Sequence, residues 1–200
     1  MLLKELFETW GKEPLFLAIA TSGLDPKKDR VLGVVTCCPE TEMPGILLHD
    51  THGDELLKGQ KFHQIYEELM NQYGIPTKIF IEILQERFKD KVLLSYNAPF
   101  QYSFLSALLN EPSIMIYDLT IIEQAIRKSL AFSEEDLLVP GSFYSACSAH
   151  YYPLPVGNIF KRLNVSRQPP PGVLPAELSA DVLKMLYNGV SSIELQLLPS

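Results

Sequence analysis

The chain is poor in cysteine, in clustered positive charge and in long apolar runs, and each shortage narrows what it does. Three cysteines occur in 200 residues, two of them adjacent at Cys37 and Cys38 inside an apolar stretch. That arrangement gives no disulfide framework and reads as buried thiols in a reducing, cytoplasmic setting. No apolar run approaches the roughly 20 residues that span a bilayer, so no membrane partner is expected. The opening MLLKELFETW carries Glu5 and Glu8 among its apolar residues, the pattern of an amphipathic helix rather than of a signal peptide. Lysine and arginine number 17 against 24 acidic residues, a net charge of −7. The basic residues are scattered, and the closest runs, Lys27-Lys28-Asp29-Arg30 and Lys161-Arg162, are short. Tight nonspecific binding to a phosphate backbone draws on clustered cations and is disfavoured.

What is present is an ordinary globular composition: 46% apolar and 20% charged residues, without a compositional break. The expectation is one domain over residues 1–190 and a C-terminal tail over 191–200. The tail reads as an edge strand or a frayed end, with a faint likeness to a docking peptide at Gln196-Leu197-Leu198.

The Leu15–Ala20 run, closed by Thr21-Ser22-Gly23, reads as a buried strand. Arg30–Cys38 and Pro44–His49 are the next two, and short turns between them predict an antiparallel meander. Phe62, Ile65, Tyr66, Leu69 and Met70 give Gln60–Gln72 a helical stripe, ended by Gly74-Ile75-Pro76, and Thr77–Lys89 repeats the pattern. Lys91–Tyr96 is a strand, and a helix follows from Asn97-Ala98-Pro99 to about Leu109. Ser113–Tyr117 is a further strand, with Asp118 capping a helix over Leu119–Leu130. Ser142–His150 reads as a short helix, Gln168–Pro171 as a surface connection, and Pro175–Asn188 as a final helix stopped by Gly189. The order predicts an α/β domain: a mixed five-stranded sheet, its first three strands an antiparallel meander, with helices on both faces.

Two stretches carry a specific likeness. LAIATSGLDPKKDRVLGVV near the front and LLSYNAPFQYSFLSALL in mid-chain resemble the DnaQ-like (DEDD) 3′–5′ exonucleases of ribonuclease H-like fold. The first motif of that family reads roughly D-x-E-T-T/S-G-L-D, and Thr21, Ser22, Gly23, Leu24 and Asp25 match its tail. The second, roughly H-N-A-x-F-D-x-x-F-L, matches at Asn97, Ala98, Phe100, Phe104 and Leu105. Tyr117-Asp118-Leu119 is similar to the segment after the fifth strand, and Ser142–Pro155 to the helix before the third motif. The likeness runs from about Leu15 to Leu186. It implies a metal-dependent nuclease in which two Mg²⁺ or Mn²⁺ ions about 4 Å apart, held by carboxylates, drive phosphodiester hydrolysis.

At the functional positions the chain departs from that pattern. The first motif's Asp and Glu fall on Ala18 and Ala20, and the second motif's Asp falls on Gln101. The third motif, H-x-x-x-x-D, falls on Pro175 and Ala180. A shift of one residue places Asp181 at the acid and Ala176 at the base, which is still not His. Hard cations need charged oxygen ligands, and a hydrolytic base needs a titratable group; alanine and proline supply neither. The resemblance therefore implies an exonuclease fold with no catalytic residues and no metal cofactor, a binding or scaffolding module. A protein partner is expected, with at most a weak hold on a strand end through Thr21, Ser22, Gly23, Leu24, Asn97 and Phe100. The alternative is an active metal-dependent 3′–5′ exonuclease with displaced ligands drawn from Asp25, Asp181 and the His49–Glu55 stretch.

That stretch, His49-Asp50-Thr51-His52-Gly53-Asp54-Glu55, is dense in metal-ligating residue types, but a polar loop after the third strand is the simpler reading. His63 beside Phe62 reads as a residue at the boundary of a helix. His150 has no partner at ligand spacing. Asp25, Asp118 and Asp181 read as turn or cap residues.

Overall fold

The structure, a computed structural model, describes residues 1–41 and 44–199. The helix α1 (Leu3–Thr9) leads into β1 (Glu13–Thr21), β2 (Val31–Cys37) and β3 (Gly45–His49), the expected antiparallel meander. Three short helices follow, α2 (Asp54–Leu57), α3 (Gln60–His63) and α4 (Glu67–Tyr73), and then β4 (Gly74–Ile75) and α5 (Thr77–Phe88). β5 (Lys91–Ser95), α6 (Ala98–Leu109), β6 (Ile116–Asp118) and α7 (Leu119–Arg127) complete the parallel half. The remainder is β7 (Ala131–Phe132), α8 (Pro140–His150), α9 (Val156–Arg162), α10 (Pro175–Asn188) and β8 (Gln196–Leu197).

The main sheet has the order β4-β3-β2-β1-β5-β6. The expected five strands are all present, and a sixth, β4, adds two residues parallel to β3 at one edge. Gly74-Ile75 was expected only to end a helix. Its backbone instead pairs with Leu48 and His49, extending the sheet before Pro76 opens α5.

Alternation along β1 sorts the core into two layers. Leu15 and Leu17 face a cluster closed by Phe80 and Leu84 of α5 and by Phe104, Leu105 and Leu109 of α6. Phe16, Ala18 and Ala20 face the larger cluster, built from α1, α7, α8 and α10. All seven residues of β2 are buried, as expected for a strand covered on both sides. Because β1, β5 and β6 run parallel, their carboxyl ends lie on the same side of the sheet: Ser95 and Asp118 are level, and β1 runs on to Thr21, beyond its last pairing with β5 at Phe16. In open α/β sheets, ligands bind at the carboxyl ends of such strands.

The largest local departure lies at residues 60–72, where one continuous helix was expected. Gln64 takes a left-handed backbone with φ 57° and Tyr66 is extended, so the chain makes two separate turns of helix. Ile65 is fully buried, whereas Phe62 is 71% exposed and Tyr66 is half exposed. A single helix would place all three on one stripe; the break lets Ile65 alone enter the core. There its side chain lies beside Gly33, where an added Cβ would sit 3.6 Å from Ile65 Cδ1.

The C-terminal segment packs on the domain. Leu195 is buried, its N–H donates to the Met1 carbonyl at 2.9 Å, and β8 pairs in parallel with β7. Ser200 lies outside the described residues. No helix among the described residues is long and apolar enough to cross a membrane.

Candidate functional site at the carboxyl end of β1

The turn that leaves β1 is held by its own side chains. Ser22 is fully buried; its N–H donates to the Arg30 carbonyl at 2.9 Å, and its Oγ accepts the Arg30 N–H at 2.9 Å. The same hydroxyl donates to Glu55 Oε2 at 2.9 Å, tying the turn to α2. Thr21 Oγ1 donates to the Gly23 carbonyl at 2.6 Å. Gly23 has no room for a Cβ, which would collide with the Asp29 carboxylate. That carboxylate pairs with Lys58 and accepts the Asp25 N–H at 2.8 Å, and these contacts hold its pKa below the usual carboxylate range. Four of the residues expected at a strand-end site are therefore here, but Thr21, Ser22 and Gly23 are spent on shaping the turn. Leu24 projects into solvent, 83% exposed.

Asn97 and Phe100 stand at the head of α6. Asn97 takes a left-handed backbone with φ 53° and caps the helix, its side chain exposed. Phe100 is half-buried and packs on Phe104, ring centroids 5.0 Å apart. One residue further, Gln101 is 5% exposed, and its Oε1 has no hydrogen-bond partner among the described residues. Tyr96, at the family's His position in the second motif, is buried; burial raises its pKa, against the facing Ser179 hydroxyl and Arg167.

Asp118, fully buried at the end of β6, joins the heads of two helices. Its Oδ1 accepts the Thr120 N–H at 2.9 Å and the Thr120 hydroxyl at 2.5 Å, and its Oδ2 accepts the Ala98 N–H at 3.3 Å. Burial raises its pKa, and these donors pull the other way. Asp118 is the cap that its position before the helix predicted.

The face of β1 that would carry the ligands is an apolar contact with a helix. Ala18 and Ala20 are 4% and 7% exposed and belong to the same buried cluster as Ala176 and Ala180 of α10, which packs along β1 and β2. Ala180 is fully buried, whereas Asp181, the next residue round the helix, is partly exposed. Burial raises the pKa of Asp181, and Lys184 one turn on counters it. Of the two registers left open by the sequence, the helix turns Ala180 and Ala176 inward. Pro175 occupies the first turn, where Glu177 Oε2 accepts the Leu174 N–H at 2.7 Å.

The remaining candidates scatter. His49 points into the other layer: Nδ1 lies 2.8 Å from the Val31 carbonyl, Nε2 lies 2.8 Å from Thr77 Oγ1, and the ring stacks on Phe80. His52 and Asp50 pair on the surface at 2.6 Å, and Glu55 holds Ser22. The His49–Glu55 stretch is thus split three ways, because β3 sends His49 inward while the following loop turns out. Asp25 accepts the Lys27 N–H and pairs with Lys28 in an exposed turn, contacts that lower its pKa. Among the described residues, no three His, Cys, Asp or Glu side chains are grouped so as to hold a metal ion.

Sequence reasoning missed the support beneath the turn. Glu55, Lys58 and Gly59 of the α2–α3 segment all meet it, and an added Cβ on Gly59, at φ +69°, would lie 2.9 Å from the Ser22 carbonyl oxygen. His63 stands at the end of α3, the boundary position expected of it, and is buried there. The adjacent glycine and histidine were the available signals.

No protein-family model matches the chain, and no curated protein matches it in sequence. Solved structures do match it in shape. The crystal structure of E. coli exonuclease I in complex with a dA16 oligonucleotide aligns with a TM-score of 0.57 at 12% identity, over 88% of this chain and 41% of that one. The same enzyme in complex with a dT13 oligonucleotide gives 0.55 at 13% identity, over 89% and 40%. An apo exonuclease I gives 0.56 at 13% identity, over 90% and 42%. The chain therefore has an exonuclease-like, ribonuclease H-like fold. It spans about two-fifths of the length of the exonuclease structures that it matches.

Proposed function

We propose that the chain is a catalytically inactive, exonuclease-like module that acts by binding, as a scaffold for a protein partner in nucleic-acid metabolism. The observation that carries this reading is the contact between β1 and α10. Where the DnaQ-like motifs place two carboxylates on the strand and a carboxylate on the helix, Ala18 and Ala20 share a buried apolar cluster with Ala180, and the base position holds Pro175, or Ala176 in the shifted register. Gln101, at the second motif's carboxylate, offers one uncharged oxygen. A pair of Mg²⁺ or Mn²⁺ ions needs several anionic oxygens. The donor set at these positions does not fit such a pair, and no step is assigned to it. The displaced-ligand alternative has less support, since His49, Asp25 and Glu55 are each committed to other partners.

Any residual hold on nucleic acid falls to the exposed Leu24 on the turn and to Asn97 and the half-buried Phe100 at the head of α6. With Ser22 and Thr21 already hydrogen-bonded within the turn, that hold is weak. The test is incubation of the protein with a 3′-end-labelled single-stranded oligonucleotide and Mg²⁺ or Mn²⁺. No release of labelled nucleotide is expected. Metal-dependent release that EDTA abolishes, and that a purified control lacks, would overturn the reading.

A further inference from the structure

The His63 imidazole is 4% exposed and bridges the two chain reversals that bound α3. Its Nε2 lies 3.1 Å from the Lys58 carbonyl, and its Nδ1 lies 3.0 Å from the Ile65 nitrogen. A carbonyl accepts and a backbone N–H donates, so the ring must carry its proton on Nε2 and keep Nδ1 as a bare acceptor. Only the neutral ring satisfies both. A proton added at Nδ1 would face the Ile65 N–H donor to donor.

The segment latched in this way is the one that holds the turn after β1. Glu55 takes the Ser22 hydroxyl, Lys58 pairs with Asp29, and Gly59 lies against the Ser22 carbonyl. Directly beyond the ring, Gln64 is left-handed and Ile65 enters the core. We propose that His63 is a pH-sensitive latch: its neutral ring locks residues 54–65 onto the Thr21–Arg30 turn, and protonation releases them and opens the carboxyl end of β1.

Among the described residues, no charged group compensates an imidazolium in this place. On the elements around the ring, Glu55 is held by Ser22, Lys58 by Asp29, and Lys61 of α3 lies over the Phe62 ring. On α10, which packs against α3, Glu177 accepts the Leu174 N–H and Asp181 lies nearest Lys184. None of them hydrogen-bonds the imidazole. Burial accordingly lowers the His63 pKa, although the Lys58 and Leu56 carbonyls oppose the shift.

The latch regulates the turn named under the proposed function and takes its functional meaning from that reading, but its test involves no nucleic acid, metal or nuclease assay. The measurement is amide hydrogen exchange of the full chain between pH 7.5 and 5.0, corrected for intrinsic rates. Protection across residues 54–65 should fall by up to about tenfold per pH unit below about 6.5, the pKa of an opened histidine, while β1 and α10 hold theirs. In His63→Asn, which keeps an acceptor for the Ile65 N–H but does not titrate, that pH dependence should vanish. Protection that ignores pH in the parent, or falls equally in the variant, overturns the proposal. Nitrogen NMR of the unmodified protein gives a check independent of the variant. The Nε2–H tautomer is expected at pH 7.5, titrating together with the Ile65 amide; an Nδ1–H tautomer, or titration that leaves that amide unmoved, equally overturns it.

Discussion

Placing two carboxylates in the pattern of the DnaQ-like first motif, as Ala18→Asp with Ala20→Glu, is expected to destabilise the chain heavily. Both positions are under one-tenth exposed and closed over by α10. Residues two apart on one strand face are about 6.6 Å apart, so two carboxylates there repel by about 2.5 kcal/mol at an effective dielectric of 20. Desolvation adds several kcal/mol per ion, only part of which local relaxation and water entry relieve. A total of about 5 kcal/mol is a large share of the stability of an ordinary domain. At roughly 2–4 °C per kcal/mol for a chain of this size, the melting temperature should drop by about 10–20 °C at pH 7.5.

The uncharged pair Ala18→Asn with Ala20→Gln has nearly the same volume, so its loss measures crowding alone. The difference between the two double variants isolates charge. The buried acids have folded pKa values above their unfolded ones, so their penalty is full above the folded value. It shrinks as pH falls through that value, because the folded form then takes up the protons. Calorimetry or circular-dichroism melts of the parent and the two double variants at pH 7.5 and pH 5.0 read this directly. Equal melting of the charged and uncharged pairs at pH 7.5, or a gap that widens on acidification, would refute the electrostatic reasoning.

Three further substitutions probe the scaffold that carries the site. Glu123 is fully buried on α7, and its Oε1 meets Arg127 and, at 2.9 Å, Arg162 of α9. Glu123→Ala removes a buried anion and leaves the half-exposed Arg127 and Arg162 guanidinium groups to water, and should cost about 2 kcal/mol in urea unfolding, with Arg162→Ala costing less because Arg127 remains. A loss under 1 kcal/mol for Glu123→Ala would show that the pair is not what holds α9. Asp118→Ala removes the acceptor for the heads of both α6 and α7 and should cost about 2 kcal/mol, read from the same unfolding curves. Retention of parental stability would mean that these N–H groups find other partners.

Much of this architecture was legible in residue order, and the exceptions share a cause. β1 and β2 read clearly because burial on both faces makes a strand uniformly apolar, and α7 and α10 because a cap or a proline marks where each begins. The stripe at residues 60–72 misled because its periodicity satisfied a helix locally. The tertiary need was different: Ile65 had to reach Gly33, and His63 had to join two reversals. α9, within the stretch between the expected helices, gained its place from long-range contacts, with Ile159 and Phe160 in the core and Arg162 on Glu123. Of the site, the turn from Thr21 to Asp25 was visible as a motif. Its support from Glu55, Lys58 and Gly59 was not, since no local pattern links residues 29 and 33 apart.

The third-motif register shows how the two kinds of information complement each other. Spacing placed the motif's acid on Ala180, with Asp181 one residue away as the alternative. A helix separates adjacent residues by about 100°, and packing on the sheet takes Ala180 inward and leaves Asp181 at the margin. Without that packing, the acid one residue away would suggest a ligand.

The central claim is that this fold keeps the frame of a trimming nuclease while its cation-binding positions hold methyl groups and an amide. Anomalous diffraction from crystals soaked in millimolar manganese tests it most directly. The account predicts no manganese peak beside Ala18, Ala20 and Gln101. Two peaks about 4 Å apart at the carboxyl end of β1 would contradict it.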